Sequence, residues 1–189
     1  NKLFTVDVAK EILVKIQQKL LSEGYTMYMD GWSNYLYNES YYKVVQEMYK
    51  SGDLNLIAGL AYEIESWMDV DKNLDKVIKV QKYASEHVKT NWVKIFTDST
   101  VETGTGFIEP LYTDGHQGIV NWTEAVVTEI TRKSNANSLS MHIHTMRNAG
   151  VNRAVSVYVN GGKDELRNTL VYVHFVNNSD YKRMADHNI

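Results

Sequence analysis

The chain has 189 residues, 43% of them hydrophobic and 23% charged, a globular composition long enough to bury a real core. Its net charge of −3, without runs of like charge, argues against a nucleic-acid or membrane-surface partner. The absence of cysteine excludes disulfides and cysteine-ligated zinc. Apolar runs reach strand length only, short of the roughly 20 residues that span a bilayer, and no signal peptide is visible, so no membrane partner and a cytoplasmic location are expected.

In chain order, residues 7–22 place Val8, Ile12, Ile16 and Leu20 at helical spacing, with Leu13 beside them, and Gly24 closes the helix. A strand is predicted over 25–30, a helix over 40–50 ending at Gly52, and a doubly buried strand over 55–64, NLIAGLAYEI. A third amphipathic helix is predicted over 70–88 and a third strand, WVKIFTD, over 92–98. Residues 99–120 are a long connection that holds several glycines and the only proline. Asn121 and Glu124 form a capping pair for a helix to about Asn135. LSMHIHTM (139–146) reads as a strand, 149–160 as a helix, TLVYVHFVN (169–177) as a fifth strand and 178–187 as a last helix.

Helix and strand alternate through five repeats, the signature of βα units around a parallel sheet. No GxGxxG and no GxxxxGK[ST] opens a helix, which favours part of a (β/α)8 TIM-type barrel over a nucleotide-binding doubly wound sheet. The expected architecture is one α/β domain over residues 1–189. The chain begins at Asn1 without methionine and stops at DHNI, where a further apolar segment is expected, the pattern of an internal piece of a larger barrel.

In such barrels chemistry sits at the C-terminal strand ends, here Asp30, Glu63, Lys94 with Asp98, His142 with His144, and Tyr172 with His174. A lone acid there is usually a loop cap, and one histidine in a strand is more often a hydrogen-bonded core residue than a ligand. Lys94 stands apart, because burying an ammonium costs several kcal/mol unless it is paired or chemically altered. Alternation puts Trp92, Lys94 and Phe96 on one face of their strand, and His142 and His144 on one face of theirs.

VKIFTDSTVETGTGFIEP followed by LSMHIHTMRNAGVNRAV resembles the middle of a YtcJ-like amidohydrolase of family 3. That group is similar to the N-substituted formamide deformylases and includes relatives described as exoenzyme regulatory proteins. The likeness is densest from Trp92 to Ile189 and looser before it. It implies strands two to six of a (β/α)8 barrel, without the first, seventh and eighth strands or the β-sandwich of complete members. It also implies one or two divalent metal ions, zinc by preference, held by the complete barrel and not by this stretch alone. The metal would present a bound hydroxide to a C–N bond, amide or N-formyl, of a small molecule.

Carried over residue by residue, Lys94 falls on the bridging, CO2-carboxylated lysine and His144 on the fifth-strand histidine. Tyr172 falls on the usual sixth-strand histidine, His174 serves only if the register slips by two, and Asp98 is the candidate catalytic or orienting acid. Three further positions depart from the pattern. Ser99 replaces a glycine, and Arg147 and Asn148 replace Gly-Asp. The rival reading is a non-catalytic, regulatory or binding relative with a decayed site. Without lysine or proline to block pairing, the apolar end strands 25–30 and 169–177 are expected to support homo-oligomer formation.

Overall fold

The computed structural model describes residues 5–35 and 39–189, which divide into two compact units, 1–63 with 71–92 and 64–70 with 93–189. Five strands, β1 (Met27–Asp30), β2 (Ile57–Glu63), β3 (Val88–Phe96), β4 (Ser140–His144) and β5 (Thr169–Val171), are hydrogen-bonded in sequence order, each to its neighbours along the chain. The fold is α/β, with parallel strands separated by helices, the class expected from the alternating periodicity.

The first unit begins with α1 (Val6–Ser22), whose cap Thr5 accepts a hydrogen bond from the Val8 amide at 3.3 Å. The helix buries Ala9, Leu13 and Gln17, not the predicted stripe, and Ile12 and Ile16 remain 46% and 44% exposed. Gln17 explains the choice of face. Its amide donates to the Asp53 carbonyl at 2.6 Å and its oxygen accepts from the Asn55 amide at 3.0 Å, so a polar side chain serves the turn before the second strand. The parallel pair β1 (Met27–Asp30) and β2 (Ile57–Glu63) is linked through α2 (Glu39–Ser51). As the apolar run predicted, β2 is buried on both faces.

The next helix is shorter than predicted. α3 (Val70–Val80) passes into a 3-10 turn at Gln81–Tyr83, and β3 (Val88–Phe96) starts four residues earlier than the expected 92. Gln81 accounts for the break, because its amide donates to both the Val77 and Thr90 carbonyls and its oxygen accepts from the Thr90 hydroxyl. A local side-chain bond to backbone here competes with one more helical turn.

In the second unit, α4 (Glu124–Ala136) is capped by Thr123, which accepts from the Val126 amide; Asn121, the predicted cap, donates instead to the Phe96 carbonyl. β4 (Ser140–His144) leads into α5 (Asn148–Gly161). Their junction is tight, because a Cβ on Gly150 would lie 2.6 Å from Thr145 Oγ1 and 2.8 Å from Asp98 Oδ2. β5 is only Thr169–Val171, paired with 142–144, in place of the predicted nine residues. Tyr172 ends it by adopting φ +73°, a left-handed conformation that breaks the ladder. The last helix is α6 (Asn178–Asp186). No helix among the described residues is long and apolar enough to cross a membrane.

Candidate functional site

The side chains singled out at strand ends β3, β4 and β5 all lie in the second unit. On β3, Val93 and Ile95 are fully buried, while Lys94 and Phe96 share the other face, with the ammonium 3.8 Å from the centre of the Phe96 ring. That ring in turn lies 4.4 Å from the His144 imidazole, which is 4.9 Å from the Tyr172 ring. Lys94, His144 and Tyr172 are thereby strung along one face through Phe96. His174 is exposed and outside this row of contacts.

The two β4 histidines differ in what their nitrogens do. Burial, and then the positive charge of Lys94, pushes each imidazole down to about 4, so both are neutral near pH 7. His142 Nδ1 is 3.1 Å from the Thr169 hydroxyl and is occupied. His144 presents Nε2 to the Ser99 carbonyl at 3.3 Å, which in a neutral ring assigns the proton to Nε2. His144 Nδ1 is then a bare lone pair, buried and without a hydrogen-bond partner.

Asp98 is 1% exposed and acts as a clamp. It accepts from the amides of Phe107 at 3.2 Å, Met146 at 3.1 Å and Arg147 at 3.3 Å, and Oδ1 lies 3.9 Å from His144 Nε2. Burial raises its carboxyl above the usual range, and the three amides oppose the rise. One carboxylate thus joins the end of β3, the 99–107 loop and the β4–α5 turn.

Arg147, the last residue of this turn, has a seat that the sequence does not reveal. The guanidinium carbon is 4.2 Å from the Phe175 ring centre and 5.5 Å from that of Tyr112. The pairing with Phe175 joins segments 28 residues apart with no shared periodicity. A separate polar cleft of about 500 Å³, lined by Phe107, Glu109, Glu124, Asn148 and Arg153 among others, includes neither Lys94 nor His144.

A metal requires donors with available lone pairs. His144 Nδ1 meets that need, and Lys94 is a nitrogen that CO2 could convert to an oxygen donor. Among the described residues no group of three or more histidines, cysteines or acids is arranged to hold a metal. The donors present therefore fit part of a site.

No protein-family model and no curated protein matches this sequence. Among solved structures, the chain is similar to an uncharacterized metal-dependent hydrolase from Pyrococcus furiosus, at 18% identity and a TM-score of 0.79 over all of this chain and 38% of that one. It is also similar to an uncharacterized metal-dependent hydrolase from Pyrococcus horikoshii OT3, at 17% identity and a TM-score of 0.79, covering 100% of this chain and 37% of the other. The chain thus spans less than two fifths of the length of either, and what it shares with that portion of them is the α/β partial-barrel fold.

Proposed function

We propose that this chain forms the central part of a metal-dependent amidohydrolase that cleaves a C–N bond, an amide or N-formyl group, in a small molecule. The observation that supports this best is the bare, buried Nδ1 of the His144 imidazole, a ring kept neutral by burial and turned by Ser99. His144 would hold the ion through Nδ1. The Lys94 amine, once deprotonated, adds CO2 and releases a proton to become a carbamate, and this replaces a buried cation by an anionic oxygen ligand. Asp98 keeps the β4–α5 turn in register, while Tyr172 covers the imidazole where a histidine is usual in the resembled family. When bound, a divalent ion of the zinc type supplies Lewis acidity toward a carbonyl and lowers the pKa of water. Further ligands are required to complete the site.

Tyr172 and the Arg147–Asn148 pair, at positions where the resembled family carries histidine and Gly-Asp, favour a second reading, a binding or regulatory relative with a decayed site. Metal analysis of the protein at its natural length separates the two. The hydrolase reading expects one or two zinc-like ions per chain, lost in Lys94→Ala and His144→Ala and bound more tightly in Tyr172→His. Absence of metal from protein prepared with zinc and bicarbonate would leave the binding-protein reading standing.

A further inference from the structure

The seat of Arg147 is assembled from three stretches of chain. Gly106 provides the room, because a Cβ there would lie 2.6 Å from Arg147 Cγ. Tyr112 is fixed against it, its hydroxyl donating to the Gly106 carbonyl at 3.0 Å and its ring stacked on His116 at 4.5 Å. Phe175 is held by its own amide, which donates to the Met146 carbonyl at 3.1 Å.

What the seat lacks is an acceptor. Arg147 Nε is buried without a hydrogen-bond partner, and among the described residues the guanidinium makes no hydrogen bond or ion pair. Asp98 does not meet that need, since it takes the backbone amide of Arg147 and not its side chain. Aromatic rings satisfy the face of a guanidinium, but its five N–H donors lie in the plane and call for an acceptor, best a two-oxygen anion. The position matters too. Asp98 accepts the Arg147 amide and lies 3.9 Å from His144 Nε2, so Arg147 leaves the same strand end, three residues after the candidate metal ligand. Arg153, by contrast, lies 4.5 Å from the Phe107 ring in a cleft that already contains Glu109 and Glu124.

We propose that Arg147 is an anion-binding, specificity-determining residue and that it selects ligands carrying a carboxylate close to the amide, of the N-acyl amino acid class. This rests on the amidohydrolase reading for the amide, while the carboxylate preference stands on the Arg147 seat alone. Arg147 would take both carboxylate oxygens, with Tyr112 and Phe175 holding the guanidinium in one orientation and excluding water from its faces.

The test compares N-acetylglycine with the uncharged N-acetylglycinamide, titrated calorimetrically into the full-length protein with and without zinc. N-acetylglycine should bind at least about tenfold more tightly, the order of effect of one charge-assisted bidentate pair. Arg147→Gln should abolish the preference and Arg153→Gln should keep it. Arg147→Lys, which retains charge but not the fork, should reduce it severalfold and serves as the decisive variant if the glutamine protein fails to fold. Equal binding of the two probes, or a preference that survives Arg147→Gln or is undiminished in Arg147→Lys, overturns the proposal. A carboxylate preference without turnover upholds the subsite and counts against the hydrolase, whereas turnover of both probes at equal rates does the reverse.

Discussion

Two histidines two residues apart on one strand face can have different chemistry, and here the difference is made by their partners. Thr169 occupies His142, whereas Ser99 turns His144 and leaves its Nδ1 bare. The spacing of two was visible in the sequence, but the partners lie 27 and 45 residues away and were not. Both rings have a pKa depressed from 6.5 to about 4, by burial first and Lys94 second. A folded-state pKa below the unfolded value means that the unfolded chain binds more protons between those limits. The metal-free protein should therefore lose stability as pH falls from about 6.5 to about 4, by at most roughly 3 kcal/mol for the well-buried His144. Chemical denaturation across that window should show the loss, and His144→Gln should reduce its slope, the His142 contribution remaining. A wild-type stability that does not fall with pH there would refute the assignment of neutral, desolvated rings.

At the scale of elements, the site depends on the junction of β3, the 99–107 loop and the β4–α5 turn. Two residues make it possible, Asp98 by gathering three backbone amides and Gly150 by letting α5 approach. Gly150→Ala forces a methyl into contact with Thr145 and Asp98 and should cost about 1–3 kcal/mol by overpacking. Asp98→Asn leaves three amides facing a group that can no longer accept from all of them, and the expected loss is about 1–3 kcal/mol. Urea denaturation should show a lower midpoint at unchanged slope for both variants, while Arg153→Gln in α5 should stay near the parent value. Part of this junction was legible. Asp98 stood out at a strand end and Arg147 as a departure from the pattern of the family the sequence resembles. The clamp and the seat were not, because they rest on contacts across sequence separations of 9 to 49 residues.

For the molecule as a whole, the strands at the two ends of the order, β1 and β5, are four and three residues long. Both are shorter than the sequence suggested, and short end strands offer a partner chain few unpaired amides and carbonyls. We propose that self-association through them is weak and concentration-dependent. Sedimentation velocity should show the apparent mass rising with protein concentration, and Met27→Lys, at a residue of β1 that is 42% exposed, should suppress the rise. An apparent mass independent of concentration would remove the end strands as an interface. The sequence alone was enough for the α/β class, the order of elements and the placing of Lys94 and Phe96 on one face, because these follow from periodicities of two and about four residues. Tertiary structure decided that α1 buries Leu13 and Gln17 and not Ile12 and Ile16, that β5 stops at Val171, and that His144 keeps a free nitrogen while Arg147 finds two rings. Each of these turns on a partner distant in sequence or, at Tyr172, on a left-handed backbone that side-chain periodicity does not encode.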